Sequence, residues 1–451
     1  MIRKINVGIA AVVLFSLLVP AGCKTARFEL SSLNITPEKV ATGNTATVSV
    51  ELANTGTAEG TYSITLSVDG VVMETKDVTM PAGVTRKAMF AVVKDTVGAY
   101  TIEAGNLSAI LHVVKPAEFK LSSLEVTPKE VLPNGEVMIT VDVSNVGGLE
   151  GNYGCNLLVN GKTVQREEVT VDSGAKETVT FTYAPKYWGS YVIEIGDLSQ
   201  SITVLKPAEF RISSLEISPD ETVAGSSITV TARVTNIGDV EGSHTVTLNI
   251  DGESAGIKTV TLSGGDMQTI GFNVFEDVVG VHTIKINSLS RSLRITPTPP
   301  FGYTGYTDWI NGFFIAYPET WEQEEEEDFV ASFLGPIEEG FSANILVGIE
   351  TLPYEMTAQE YFEAAEWVYT VLPDYREIST EEMQINGVPA IRSTFTWSLA
   401  IGDLTIDLKQ MQVMLVDGET AFVITITAYA TSYDKLAETF NTSVNSFQFL
   451  P

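Results

Sequence analysis

The feature that most constrains this chain is a stretch that returns every 91 residues. Pro116-Ala117-Glu118-Phe119 recurs almost unchanged as Pro207-Ala208-Glu209-Phe210, and Ala26-Arg27-Phe28 is a more divergent first copy. Self-similarity at a fixed period is the signature of a repeated architecture. We therefore divide the first part of the chain into three repeats, residues 26–115, 116–206 and 207–296.

Five glycines recur at the same offset in every repeat. They are Gly56, Gly60, Gly70, Gly83 and Gly98 in the first repeat, Gly147, Gly151, Gly161, Gly174 and Gly189 in the second, and Gly238, Gly242, Gly252, Gly265 and Gly280 in the third. Because glycine readily adopts positive φ, we expect turns between strands at these positions. Asp69-Gly70, Asn160-Gly161 and Asp251-Gly252 predict two-residue hairpin turns of the primed type.

Between these turns apolar and polar residues alternate, which predicts strands with one buried face. Ala46, Val48, Val50 and Leu52 show the pattern in the first repeat, and the other repeats carry apolar residues at the matching positions. About six or seven such strands in each repeat predict an immunoglobulin-like sandwich of two antiparallel sheets. The expected fold class is therefore mostly β.

Comparison of the repeats predicts structural roles for the side chains that most often carry chemistry. Cys155 stands where the other repeats have Ile64 and Val246, so we expect a buried thiol that packs as a small apolar group. No histidine recurs between repeats, which excludes a repeated metal site or acid–base centre. The aligned residues are tyrosines for two of the histidines, His244 and His282.

Three tripeptides, Asn54-Thr55-Gly56, Asn145-Val146-Gly147 and Asn236-Ile237-Gly238, precede the Glu-Gly and hairpin glycines of each repeat. This order resembles the CARDB family of immunoglobulin-like modules, which occur in arrays on bacterial and archaeal surface proteins. The resemblance covers residues 26 to about 296. It implies a surface or adhesion-related role and supplies no catalytic residue.

The N-terminus has the pattern of a secretory signal. Residues 1–4 are basic and residues 5–18 form an apolar run too short to span a bilayer permanently, which predicts a signal peptide over residues 1–22. Ala21-Gly22 before Cys23 resembles a bacterial lipobox, which implies that Cys23 is lipidated and attaches the protein to the extracytoplasmic face of a membrane. The same segment also fits an ordinary signal peptidase site, so secretion without lipid is the alternative.

Charge excludes one class of partner. The chain has 27 Lys and Arg against 57 Asp and Glu, a formal net charge of −30. Such an excess repels phosphate backbones, so we expect no nucleic-acid partner.

After the third repeat the period ends. Residues 297–307 are rich in Pro, Gly and Thr, which predicts a short linker. In the C-terminal domain, residues 308–451, the capping box Thr357-Ala358-Gln359-Glu360 predicts a helix that runs to Pro373, and a second helix is expected near Ser432. Apolar segments predict strands between them, with hairpin turns at Val388-Pro389 and Asp417-Gly418, so we expect an antiparallel sheet with packed helices.

The stretch Gly312-Phe313-Phe314-Ile315-Ala316-Tyr317-Pro318, followed by Trp321, is similar to the opening strand of PsbP-like domains. Ile385-Asn386-Gly387 and the terminal Asn445-Ser446-Phe447 strengthen the resemblance, which covers residues 308–451. The resemblance implies an α+β fold. It places no catalytic or metal-binding residue at a position of this chain.

The most prominent charge cluster lies in the C-terminal domain. Its residues include Glu324, Glu325, Glu326, Glu327 and Asp328. A run of this kind is typical of a solvated loop. A weak divalent-cation site is the alternative, since crowded carboxylates relieve their repulsion by binding a cation. We predict no other cofactor.

No catalytic constellation is evident, so we predict that the protein is not an enzyme. The C-terminal domain has no histidine, and phosphate-binding loops and HExxH motifs are missing from the sequence. The expected role is a surface lipoprotein whose sandwiches form a stalk and present a binding domain to an unknown protein or glycan partner. The alternative is a small-ligand or carbohydrate binder, or an enzyme, with its site near Tyr317, Trp321 and Trp367, although such aromatics more often belong to a core.

Overall fold

The computed structural model describes residues 24–401 and 404–451, so the predicted signal peptide and Cys23 lie outside the described residues. Strands account for 64% of the residues and helices for 6%, which confirms the predicted fold class. The chain divides into two compact units, one ending at Pro207 and the other beginning at Ala208. The first unit holds the first two sandwiches, and the second holds the third sandwich and the C-terminal domain.

Each repeat folds into eight strands. In the first repeat they are β1 (Phe28–Thr36), β2 (Lys39–Ala41), β3 (Thr45–Asn54), β4 (Gly60–Val68), β5 (Val71–Met80), β6 (Thr85–Val93), β7 (Gly98–Ala104) and β8 (Leu107–Val114). In the second repeat they are β9 (Phe119–Thr127), β10 (Glu130–Val131), β11 (Val137–Asn145), β12 (Gly151–Val159), β13 (Lys162–Val171), β14 (Lys176–Tyr183), β15 (Gly189–Ile195) and β16 (Leu198–Val204). In the third repeat they are β17 (Phe210–Ser218), β18 (Glu221–Val223), β19 (Ser227–Asn236), β20 (Gly242–Ile250), β21 (Glu253–Leu262), β22 (Met267–Phe275), β23 (Gly280–Ile286) and β24 (Leu289–Thr296).

The eight strands form two sheets in the same order in every repeat. In the first repeat the sheets are β1-β3-β6 and β2-β8-β7-β4-β5. The pairs are antiparallel except for the short strand β2, which runs parallel to β8. The sequence did not predict this strand, because three residues are too few to show an alternating pattern.

The core of each sandwich lies between its two sheets. Val48, Val50 and Leu52 of β3 are fully buried and pack with Ile64 and Leu66 of β4. Asp69 and Gly70 both have positive φ, 50° and 79°, as the predicted primed hairpin turn requires.

A buried asparagine joins four backbone segments in each sandwich. The side-chain amide of Asn145 donates to the carbonyls of Leu149 and Val171, at 2.7 and 2.9 Å. Its oxygen accepts from the amides of Gly147 and Glu118, at 2.9 and 3.2 Å. Asn54 and Asn236 make the equivalent four contacts in the other sandwiches. The asparagine of the Asn-x-Gly motif is therefore buried with both its donor and acceptor groups satisfied.

Two of the five recurring glycines are required for a reason that the sequence did not reveal. Gly56 and Gly60, with their counterparts, do not lie at positive φ, so the prediction that they need this conformation is wrong. A Cβ on Gly151 would collide with the Cβ of Ala117 and lie 3.0 Å from the Phe119 ring. The Pro-Ala-Glu-Phe stretch therefore recurs because its alanine and phenylalanine pack directly against a glycine backbone.

The long edge strands of the five-stranded sheets are β5, β13 and β21, and the short strands β2, β10 and β18 form the opposite edges. Each long edge strand pairs with its inner neighbour through a register shift, which falls between Leu66 and Ser67 in the first repeat. Their residues are mostly exposed or half-buried, and β13 carries the charged run Arg166-Glu167-Glu168. A bulge and charged side chains oppose the pairing of an edge strand with another sheet.

The C-terminal domain is an α+β fold. Its strands are β25 (Tyr303–Asp308), β26 (Phe313–Pro318), β27 (Glu322–Glu324), β28 (Ala331–Glu338), β29 (Phe341–Thr351), β30 (Arg376–Ile385), β31 (Val388–Ile401), β32 (Leu404–Asp417), β33 (Thr420–Tyr429) and β34 (Gln448–Phe449). Its helices are α1 (Ala358–Ala365), α2 (Trp367–Thr370) and α3 (Tyr433–Ser446). A seven-stranded antiparallel sheet has the order β27-β28-β29-β33-β32-β31-β30, and a small sheet has the order β25-β26-β34.

The large sheet is covered on both faces. Val413 of β32 belongs to a core with Phe440 of α3 and Phe313 of β26, whereas the next residue, Met414, belongs to a second core with Phe362 of α1. Successive side chains of a strand point to opposite faces. Helix α3 and the small sheet therefore cover one face, and α1 and α2 cover the other.

Three details of this domain differ from the sequence prediction. Strand β25 begins at Tyr303, inside the segment predicted as linker. The hairpin turn lies at Asn386-Gly387, where both residues have positive φ, so Val388 and Pro389 belong to a strand instead. The predicted single helix up to Pro373 is interrupted at Glu366, which separates α1 from α2.

Within the second compact unit, the third sandwich contacts the C-terminal domain through a tryptophan. The indole nitrogen of Trp309 donates to Glu221 at 3.3 Å, and the Arg294 guanidinium lies 6.0 Å from the indole ring. Arg294 is also 3.8 Å from the Glu221 carboxylate. The three groups link the two domains through a cation–π contact, a hydrogen bond and an ion pair.

We expect Asn145→Ala to destabilise the second sandwich by about 2–4 kcal/mol, because the change leaves buried amides and carbonyls without partners. Asn156→Ala is the matched control, since Asn156 is exposed on β12 of the same sandwich. Urea unfolding of the full chain, followed by hydrogen exchange of β11 and β12, measures both effects. Equal stability of the two variants would contradict a central role for the buried amide.

Candidate functional site

Cys155, His244 and His282 occupy structural positions in the sandwiches. Cys155 is fully buried, and this burial raises the pKa of its thiol to about 11, so the nucleophilic thiolate is disfavoured. His244 stacks on Phe210 with ring centroids 5.1 Å apart, as Tyr153 packs on Phe119 in the second sandwich. These contacts agree with the roles predicted from the aligned repeats.

His282 is held between two acceptors. Its Nδ1 lies 2.7 Å from Asp251 and its Nε2 lies 2.7 Å from the Val278 carbonyl. Burial lowers the pKa of His282, but the hydrogen bonds to Asp251 and Val278 and the nearby Glu276 charge outweigh it and raise the pKa above its usual value. In the second repeat the Tyr191 hydroxyl donates to the carbonyl four residues earlier, at 2.8 Å. The imidazole of His282 therefore takes the place of a tyrosine hydroxyl that makes the same hydrogen bond to the carbonyl four residues earlier.

The acidic run lies at one edge of the large sheet. Residues 322–328 are exposed and lie on the short edge strand β27 and the turn that follows it. Among residues 24–401 and 404–451, no group of three or more His, Cys, Asp or Glu side chains is placed to hold a metal ion. The divalent cation at Glu324, Glu325, Glu326, Glu327 and Asp328 stays a prediction.

The three aromatic residues proposed for a cleft do not meet. Trp321 is buried against Phe440 of α3, with ring centroids 6.2 Å apart. Tyr317 is half-buried and stacks on Phe333 at 4.1 Å. Both side chains belong to the core under α3, whereas Trp367 lies on α2, over the other face of the sheet.

Trp367 forms part of an exposed apolar surface, which we call the α2 face and define as Trp367, Val368 and Val371. Trp367 is 68% exposed and Val371 is 73% exposed, and Val368 is also exposed. Val371 follows Trp367 by four residues and Val368 by three, which is the spacing of neighbours on a helical surface. The break at Glu366 separates this segment from α1, in place of the single helix that the sequence predicted up to Pro373.

The elements beneath the α2 face hold it in place. Thr357 and Glu360 form the predicted capping box at the start of α1. Tyr361 of α1 donates to Glu350 at 2.7 Å, and burial together with this carboxylate raises the pKa of the hydroxyl, which stays a donor. Tyr369 of α2 stacks on Phe395 at 5.5 Å, so the helix turns one aromatic ring inward and Trp367 outward.

A groove of about 570 Å³ lies between the start of α1 and the β30–β31 hairpin. Its walls include Thr357, Met383, Pro389 and Ile391. Glu382 is the one ionisable side chain that lines it. One carboxylate gives no acid–base pair, so the groove offers space for a ligand without an evident reaction centre.

The fold and surface define a class of protein: an array of β-sandwiches that ends in an α+β domain with an exposed apolar helical face. Residues 117–197 and 207–288 match the CARDB family, and residues 315–446 match the DcrB family. The first sandwich lies outside these matches but has the same strand order as the other two. The matches indicate an extracytoplasmic multidomain protein.

Solved structures similar to the C-terminal part share little sequence with it. Cyanobacterial PsbP (CyanoP) from Synechocystis sp. PCC 6803 is 15% identical over 34% of this chain and 96% of its own, with a TM-score of 0.26. LpqN of Mycobacterium tuberculosis, a protein involved in cell envelope biogenesis, is 14% identical over 33% of this chain and 91% of its own, with a TM-score of 0.27. PA94 from Pseudomonas aeruginosa is 14% identical over 33% of this chain and 98% of its own, with a TM-score of 0.25.

No curated protein matches the chain significantly. Among the described residues, none of the helices is both long and apolar enough to cross a membrane.

The raised pKa of His282 predicts a pH-dependent third sandwich. The charged imidazole stabilises the third sandwich fully when the pH is below 6.5, the usual pKa of histidine. This stabilisation is lost as the pH rises through the raised pKa of His282 in the folded protein. His282→Tyr, which restores the residue of the other repeats, should remove this dependence. Hydrogen exchange of β23 in the full chain, compared between the two proteins from about pH 6 to about pH 9, measures the difference.

Strand β15 of the second sandwich is the internal control, since Tyr191 occupies the matching position there. Its exchange should show no difference between the two proteins at any pH. A difference at β23 that stays constant over the whole pH range would contradict a stabilising charge on His282.

Proposed function

We propose that this protein is a non-catalytic surface component of a cell envelope, in which three CARDB-like sandwiches carry a C-terminal domain that binds a protein partner. The observation that carries the proposal is the α2 face, where Trp367 is exposed although Tyr369 of the same helix packs on Phe395. Exposed apolar surface on a well-packed element is costly in water and is typical of an interaction site.

The chemistry of the α2 face favours a protein partner. Tryptophan is enriched at the residues that dominate binding energy in interfaces, and two adjoining valines enlarge the apolar centre. Glu363, Glu366 and Asp374 flank the helix in the sequence. The fitting partner therefore has an apolar pocket for the indole and basic residues around it.

Three properties support binding over catalysis. The C-terminal domain contains no histidine, the groove between α1 and the β30–β31 hairpin is lined by a single carboxylate, and Tyr317 and Trp321 pack in a core. These properties favour a binding surface over a catalytic site in this domain.

Membrane attachment through Cys23 completes the proposal. The lipid would hold the N-terminus at the membrane, and the sandwiches would act as a stalk for the C-terminal domain. The signal-like residues 1–22 and the position of Cys23 directly after them support this arrangement.

We expect Trp367→Ala to abolish partner binding without loss of fold, because the indole is mostly exposed. The crosslinking test places a photoreactive residue at position 370 in place of Thr370. After irradiation of cells that make this variant, we expect the same partner protein to be crosslinked to it in each repetition. Trp367→Ala should lower the crosslinking yield about tenfold or more, as expected for a central interface tryptophan. Ile337→Ala, at an exposed apolar residue of β28, is the matched control and should leave the yield unchanged.

The lipid anchor has a separate test. Mass spectrometry of the mature N-terminus should show a diacylated or triacylated Cys23, and Cys23→Ser should release the protein from the membrane fraction. An unmodified N-terminus upstream of or at Cys23 would favour secretion without lipid. That result would not affect the crosslinking test at Trp367, because the two tests concern different residues.

A further inference from the structure

One loop of the second sandwich departs from the pattern of the other two. The turn between β14 and β15 carries Lys186-Tyr187-Trp188. The first and third repeats have Asp95-Thr96-Val97 and Asp277-Val278-Val279 at the same positions. The strand order around the loop is the same in all three sandwiches, so the substitutions change the surface and not the frame.

The two aromatic side chains are exposed on a fixed backbone. Tyr187 is 66% exposed and Trp188 is 60% exposed. The Tyr191 hydroxyl donates to the Tyr187 carbonyl at 2.8 Å, and the Asn134 amide donates to the Pro185 carbonyl at 2.7 Å. The loop therefore presents its rings without the entropy cost of ordering a mobile segment.

Lysines accompany both rings. The Lys186 ammonium lies 5.4 Å from the centre of the Tyr187 ring, and that of Lys206 lies 5.8 Å from the Trp188 ring. Lys186 replaces an aspartate of the other repeats, which reverses the charge at this position in a chain of net charge −30. Because the Debye length is about 8 Å at physiological ionic strength, these lysines attract an anionic ligand at the loop, and exposed carboxylates beyond that distance are largely screened.

We propose that Lys186, Tyr187, Trp188 and Lys206, which we call the aromatic–lysine loop, bind an acidic polysaccharide. Exposed aromatic rings can stack on the C–H face of sugar rings, and the lysines can pair with carboxylates on the same polymer. The loop is a projecting turn, so it suits an extended polymer that lies across it. This proposal rests on other residues than the α2 face does, so the two proposals are tested separately.

The first sandwich provides the residues for a substitution that tests the loop. The triple variant Lys186→Asp, Tyr187→Thr, Trp188→Val gives the second sandwich the loop residues of the first, which that frame already accommodates. The full chain is run through native gels that contain polygalacturonate or hyaluronate. We expect the polysaccharide to retard the native chain and to retard the triple variant about tenfold more weakly.

Three controls test the specificity of the loop and separate the contributions of the rings and the charge. Phe275→Thr removes a 65% exposed aromatic next to the equivalent loop of the third sandwich and should leave retardation unchanged. Methyl-esterified polygalacturonate keeps the sugar rings without the charge and should bind more weakly. Polyglutamate keeps the charge without the rings and should also bind more weakly.

Four outcomes overturn the proposal. They are no retardation by either acidic polysaccharide, equal retardation of the triple variant, equal retardation by the methyl ester, and equal retardation by polyglutamate. The last outcome would instead indicate an acidic protein segment as the ligand. Trp367→Ala should bind polysaccharide as the native chain does, which keeps this test separate from that of the α2 face.

Discussion

A single buried amide organises each sandwich. Asn145 uses two donor and two acceptor positions to join the end of β11, the turn that follows, the end of β13 and the entry to β9. A buried polar group is stabilising only when its hydrogen bonds are made, so the four segments must reach their places together. The glycine of the same motif lets the entering chain approach closely, which a side chain there would prevent. The rest of the sandwich frame depends on this junction.

Because the frame is constant, differences between the repeats are informative. His282 replaces a tyrosine and preserves its bond to a backbone carbonyl, so the change is structural. The aromatic–lysine loop replaces small and acidic side chains while its backbone keeps the hydrogen bond to the aligned tyrosine, and its rings are exposed. The first kind of change maintains a fold, and the second creates a surface. In the C-terminal domain the α2 face is of the second kind, since Tyr369 already anchors the helix without help from Trp367.

The sequence predicted the three repeats, the primed turns and the buried Cys155, because each depends on a local pattern that the repeats display three times. It did not predict the role of Gly151, since that glycine meets Ala117 and Phe119, which lie far away in the sequence. The exposure of Trp367 was also missed, because apolar spacing describes one continuous helix and cannot show a break at Glu366. Contacts distant in sequence and interruptions of a regular element require the three-dimensional structure.

The bulged and charged outer strands have a consequence for how the chain is made. Neighbouring domains of similar sequence emerge one after another, and a strand of one could pair with the sheet of the next before either has folded. Strands β5, β13 and β21 each carry a register shift beside the inner strand, and their exposed charges oppose a foreign strand. Because these strands pair poorly with a neighbouring sheet, each sandwich can fold independently of the repeats before and after it.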